Sequence, residues 1–229
     1  MSFEDRFPPS EREALRLAVA DLERRTAAEI VPFVVARSDR YANADWKGAT
    51  LGALAGALVA VALHRALGLW GLDPALWIAL PPAAGAALGW LASRLPFFTR
   101  ALVGKERIDE QVRRRAESAF LAEDLAATAS RQGLLLFVSL FERRVLVLPD
   151  LGLRGRIPAA AWDGVAAGIA GRLKSHGPAA ALAAGVGEVR EVLRAAGLTI
   201  DSAADSTSDM VPVSPGPNEL ADELRVEER

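Results

Sequence analysis

Two uncharged runs, Gly48–Leu63 and Ala75–Ala92, constrain this chain more than any other feature. With its flank, each is about 18–22 residues long, enough as a helix to cross a hydrocarbon core of ~30 Å. Asp73-Pro74 between them is a turn signal. The pattern predicts a transmembrane helical hairpin over 46–95. The competing reading is a buried helical pair in a soluble domain, since Ala and Gly dominate both runs and Pro81-Pro82 interrupts the second. Two uncharged runs of spanning length joined by a short turn favour the membrane. Trp46, Trp70, Trp77 and Trp90 sit near the run ends, where an aromatic belt belongs, and Arg65 can snorkel. Gly48, Gly52 and Gly56, and then Gly85 and Gly89, recur every four residues. That spacing lets helix backbones approach closely, within a hairpin or between copies of the chain.

Composition agrees with a greasy segment set in a polar chain. The 229 residues are 51% hydrophobic and 24% charged, with net charge −2. Mean hydropathy is +0.18. The apolar content excludes disorder as the main state. With no Cys, disulfide scaffolds and thiolate chemistry are excluded. Two His make a multi-histidine metal site implausible. Arg supplies 24 of the 27 basic residues, but 29 acids balance them, so nucleic acid is not an expected partner. Basic residues flank the hairpin on both sides (Arg37, Arg40, Lys47; then Arg100, Lys105, Arg107, Arg113–Arg115). The positive-inside rule therefore predicts both flanks in the cytoplasm, with an inner membrane as the location. No cleavable signal is expected in the charged first 30 residues.

The polar parts divide at 1–45 and 96–197, with 198–229 read as a flexible polar tail. Ser10–Glu13 predicts a capping box, with Leu15, Val19 and Leu22 on one face of the helix it opens. Glu29–Ala36 predicts a strand. Pro32, which cannot donate to a ladder, belongs at its edge or start. Lys105–Arg131 fits a long amphipathic helix. Gly133–Leu140 predicts a buried strand, and Arg144–Pro149 its antiparallel partner. Two helices follow, marked by Trp162, Val165, Ile169 and Leu173, and by Leu182, Val186, Val189 and Leu193, ending at Gly177 and Gly197. A lone strand before the hairpin needs the strands after it. The hairpin is therefore an insertion in one α/β domain.

Ala28–Val35 followed by Arg37–Tyr41, then Thr128 and the stretch Gly133–Leu153 with its Asp150–Gly152 turn, resemble the first strand and central hairpin of a TPM domain. The family is named after thylakoid and bacterial membrane-associated proteins. Trp162 and Asn218-Glu219-Leu220 resemble its bacterial branch with two internal membrane spans. The resemblance covers most of residues 10–197. It implies an α/β/α domain with a short mixed central sheet, interrupted here by the hairpin. It also implies the family's associations: acid phosphatase activity and photosystem II repair in plant relatives, and metal binding. The secreted members carry a signal peptide and a carboxyl-terminal anchor, and this chain departs from them.

For chemistry, the residues offer carboxylates. Asp39 follows the first strand and Asp150 the third, so they are the candidate ligands for Mg²⁺ or Ca²⁺, with Glu142 or Asp45 as further candidates. The competing reading makes both aspartates turn formers. The antiparallel connection would also place their strand ends at opposite edges. Arg143-Arg144, with Arg131, Arg154 and Arg156, are candidates for phosphate or an anionic headgroup, or a solvated basic surface. His64 and His176 are not expected to catalyse. Two functional readings result. One is an anchored interaction or assembly module whose partners are the lipid bilayer and a membrane protein or second copy. The other is a metal-assisted phosphatase-like hydrolase using the loop carboxylates.

Overall fold

A computed structural model describes residues 7–68, 74–128, 130–199, 220 and 222–227. The chain forms two compact units. One comprises residues 1–38 and 111–229, the other 39–110.

The first unit is built on a four-stranded mixed sheet. Its strands are β1 (Glu29–Val35), β2 (Gly133–Ser139), β3 (Arg144–Pro149) and β4 (Arg225–Glu227), in the order β3-β2-β1-β4. β1 runs parallel to β2 and β4, whereas β3 runs antiparallel to β2. Both central strands are buried along their whole length, as their continuous apolar runs require. Helices α1 (Pro9–Glu23), α7 (Ala159–Arg172) and α8 (Pro178–Ala195) share one core with the sheet. In it Leu15, Val19, Val165, Ile169, Leu182 and Val189 meet Ile30, Val34, Leu134, Leu136 and Val138. The alternate strand residues, including Phe33 and Phe137 stacked at 5.8 Å, are buried on the other face. Helix α5 (Lys105–Ala122) buries Val112, Ala116 and Ala119 outside that first core.

Pro32 lies inside β1 opposite Leu136, yet β4 pairs only from Phe33 onward. The imino nitrogen therefore falls where β1 is still an edge. The polar tail is not uniformly detached, because its Arg225–Glu227 segment is β4. Arg225 pairs with Glu123 at 2.9 Å, and Glu227 with Arg115. Leu198 is buried, and Thr199 bridges Thr26. The expected capping box does not form. Helix α1 begins at Pro9, with Pro8 at the cap and no side-chain cap bond: Pro9 has no N–H to be capped, and the Glu11 and Arg12 N–H groups donate to the Pro8 carbonyl. Helix α5 stops at Ala122, short of Arg131, and a 3₁₀ turn (Leu125–Ala127) follows. Asp124 and Arg131 adopt positive φ, which breaks the helical run.

The second unit holds α2 (Ala42–Leu67), α3 (Pro74–Ser93) and the short α4 (Pro96–Val103). It is inserted between the parallel strands β1 and β2. Gly68, at φ +64°, ends α2 by returning its N–H to the His64 carbonyl. Helix α3 is continuous through Pro81-Pro82 rather than interrupted there. It forgoes two helical bonds, whose acceptors would be the carbonyls four residues earlier. Residues 69–73, with Trp70 and Asp73, and the Asn218-Glu219 pair lie outside the described residues.

Candidate functional site

In open sheets, ligands bind beyond the carboxyl ends of parallel strands. Here that end of β1 and β2 carries a cluster built from Ser38, Ser139 and Glu142. Glu142 is buried in the β2–β3 turn. Its Oε1 accepts the Ser38 backbone N–H at 2.9 Å, and its Oε2 accepts the Ser139 hydroxyl. The single Ser139 proton is thereby used, so Ser38 donates to Ser139 across 2.8 Å. Arg37 lies over the Phe141 ring at 4.0 Å. Glu142 is held by these donors as a structural acceptor.

Next to this cluster is a cavity of about 550 Å³ lined by Ser139, Leu140, Arg143, Ala170, Leu173, Lys174 and Pro178. Its lining combines the buried Ser139 hydroxyl and apolar side chains with two cations. Arg143, at φ +55°, is turned out of the strand path by the tight β2–β3 connection. Neither Arg143 nor Lys174 has an ion pair or a side-chain hydrogen bond among the described residues.

Asp150 stands at the other end of the sheet. Its N–H donates to the Gly133 carbonyl, while Ser38, the residue before Asp39, is bonded at the Glu142 end. Asp39 itself belongs to the second unit. Asp150 is buried, and its Oδ2 accepts from Arg131 Nε at 2.8 Å. Its carbonyl takes the Leu153 and Arg154 N–H groups, starting α6 (Leu151–Arg154). Gly152 is required here because a Cβ would stand 2.5 Å from the Arg131 carbonyl oxygen. Asp39 accepts the Arg40 N–H at 2.7 Å, and Asp45 accepts the Ser93 hydroxyl at 2.9 Å. Among the described residues, no three His, Asp or Glu side chains are grouped to hold a metal ion.

The basic residues do not form one patch either. Arg143-Arg144 lie at the β2–β3 turn, whereas Arg131 and Arg154 are at the far end, where Arg154 Nε donates to the Pro149 carbonyl at 2.6 Å. His176 is exposed, with Nδ1 2.9 Å from the Ser175 hydroxyl. Glu29 is buried at the start of β1, as is Glu23 at the end of α1. Burial pushes the Glu23 carboxyl up to about 9. The Ile30 N–H bonded to it opposes the shift, and the charges of Glu29 and Asp222 add to it. Sequence reasoning missed Glu23, which reads there as one more charge at a helix end.

Within the second unit, α2 and α3 pack backbone to backbone. A Cβ on Gly52 would run into the Gly85 carbonyl, one on Gly56 into that of Pro81, and one on Gly89 into that of Gly48. The glycine rows thus serve the hairpin itself. Both helices are long and apolar enough to cross a membrane, and their spanning windows are 6% and 0% buried. Leu54, Leu58, Val61, Ile78, Leu80 and Leu88 point outward, exposed. A soluble core helix would bury them.

No family model matches the sequence, and no curated protein matches it. The chain is similar in structure to the BA42 protein of the psychrophilic bacterium Bizionia argentinensis, determined by NMR, with 13% identity and a TM-score of 0.56. The match covers 98% of this chain and 98% of that one. At that identity the likeness speaks for the fold.

Proposed function

We propose that this is an integral inner-membrane protein of the TPM type, in which the α2–α3 hairpin anchors a cytoplasmic α/β unit that acts as an interaction or assembly module. One observation carries the anchor: two helices with uncharged runs of spanning length seal their glycine faces against each other and leave their large apolar side chains exposed. In water that surface would be an aggregation site; in lipid it is solvated. The basic flanks support the orientation. The TPM reading draws on the Gly133–Leu153 motif and the mixed α/β sheet. The module reading draws on the cavity beside Ser139, whose two rim cations are unengaged and suit an acidic partner segment.

The anchor is tested by alkaline carbonate extraction of membranes carrying the full chain. Retention in the pellet is expected, and Leu58→Arg with Leu80→Arg should release the protein, since each central Arg costs about 3 kcal/mol of insertion. The module is tested with a photo-crosslinker at Leu173 in native membranes. A defined adduct lost on Arg143→Glu with Lys174→Glu supports it. An adduct pattern indifferent to those charges contradicts it.

A further inference from the structure

Where the hairpin meets its flank, the second unit contains two cavities that share Trp46 and Lys47. The first, about 460 Å³, is lined by Asp39, Arg40, Asn43, Lys47 and Arg107 among others. Three cations there face one carboxylate, and Asp39 is already engaged by the Arg40 N–H. Neither Arg40 nor Arg107 has an ion pair or a side-chain hydrogen bond among the described residues. The second, about 550 Å³, is lined by Trp46, Lys47, Thr50, Leu51, Ala101 and Leu102. Its one hydroxyl, on Thr50, is satisfied by the Trp46 carbonyl at 2.9 Å. Apart from Lys47, which it shares with the first cavity, it therefore asks nothing polar of an occupant.

The two cavities are ordered along α2. The cationic one lies at residues 39–47, before the uncharged run. The apolar one reaches Thr50 and Leu51, inside that run and about 6 Å further along the helix axis at 1.5 Å per residue. Lys47 stands at the neck. Its Nζ donates to the Leu102 carbonyl at 2.9 Å, tying α2 to the last turn of α4 and leaving two N–H donors free for an anion. Helix α4 itself exposes Phe97 and Phe98 beside Leu95, and Arg94 stacks on Trp90 at 3.9 Å. That is the composition of an element lying at a headgroup boundary.

Resting on the membrane-anchor reading above, we infer that this pair of cavities is a binding site for an anionic phospholipid. Arg40, Lys47 and Arg107 hold its phosphate, and one acyl chain lies along Trp46, Leu51 and Leu102. Charge selects the head, and the polar-to-apolar order along α2 matches a lipid's own axis in the leaflet. A small free anion would use the first cavity and leave the second unexplained.

The test uses the full chain in neutral detergent, with native mass spectrometry counting retained palmitoyl-oleoyl phosphatidylglycerol against the phosphatidylcholine of the same chains. The expected result is one phosphatidylglycerol per chain, saturable and preferred. Arg40→Gln with Arg107→Gln should weaken it about thirty-fold, the effect of removing two surface cations from an anionic head. Ala101→Trp, which fills the apolar cavity from an exposed position, should weaken it as well. Glycerophosphoglycerol, the same lipid without its acyl chains, should not compete. Equal retention of both lipids, indifference to the double variant, or effective competition by glycerophosphoglycerol would each overturn the lipid site. Carbonate extraction run in parallel separates the two readings. Wild type that stays in the pellet without lipid preference overturns the site alone, whereas wild type released from the membrane overturns the anchor and the site with it.

Discussion

Glu23→Gln should stabilise the α/β unit at neutral and alkaline pH. Glu23 is buried where α1 ends, with Oε1 on the Ile30 N–H at 2.8 Å. Its carboxyl is pushed from an ordinary 4.5 up to about 9, first by burial, then by a side-chain hydrogen bond with Asp222 and by the charges of Glu29 and Asp222. The folded state therefore holds a proton that the unfolded chain releases between those values. Stability falls as pH rises across that window, by about 1.4 kcal/mol per unit, and levels off above the folded value. From 4.5 to pH 7 the accumulated cost is up to about 3 kcal/mol. Glutamine keeps the acceptor for Ile30 and carries no charge, so it removes the cost. The assay is thermal unfolding of the full chain in neutral detergent across pH 5–9.5, with buried Trp162 as the sole tryptophan after the other four become Phe. The variant should melt with wild type near pH 5 and progressively above it towards pH 9. A difference that stays flat with pH, or the absence of one at pH 8, would refute the reasoning.

Three further outcomes follow from particular contacts. Gly52→Val should drive α2 off the Gly85 carbonyl and destabilise the hairpin by about 1–3 kcal/mol, read by steric trapping in detergent; Leu54→Val, on the exposed face, should change little. Asp150→Asn should cost about 1 kcal/mol through its half-exposed Arg131 partner, by the same amount with and without Mg²⁺ in a thermal melt. Truncation after residue 220 removes β4 and bares the edge of β1, so amide exchange at Val34 and Ala36 should accelerate and the chain should self-associate on sizing columns.

The parts of this fold visible in the sequence are those with long, single-minded patterns. The uncharged runs gave α2 and α3, the glycine spacing gave their packing, and the apolar run at Gly133 gave a strand buried on both faces. The helices α7 and α8 announced themselves through Trp162–Leu173 and Leu182–Leu193. Strand β4 did not, because three residues with two charges carry no β signal until Glu123 and Arg115 neutralise them. The capping box at Ser10 was a false match, displaced by proline at the helix start.

The candidate site was less legible. That Asp150 answers Arg131 depends on a loop closed by a positive φ, which local propensity does not foretell. Glu142 reads in the sequence only as a further candidate ligand for a cation. Its burial follows from Ser139, three residues before it, and from Ser38, which the parallel pairing of β1 and β2 brings to it across more than a hundred residues. Asp39 and Asp150 share a place in the pattern, each just past a strand. Antiparallel β3 nevertheless sends its end to the opposite side of the sheet. The lipid-shaped cavities depend on α4, whose eight residues fall between two stronger patterns.

The central claim is that the hairpin spans a bilayer and returns the chain to the side it left. Because the chain has no Cys, single substitutions report cleanly. The decisive measurement is labelling of Ser10→Cys, Asp73→Cys and Ser175→Cys by a membrane-impermeant maleimide in sealed vesicles of known orientation. The account predicts that Ser10→Cys and Ser175→Cys react from the cytoplasmic face and Asp73→Cys from the opposite face alone. Reaction of all three from one face would contradict it.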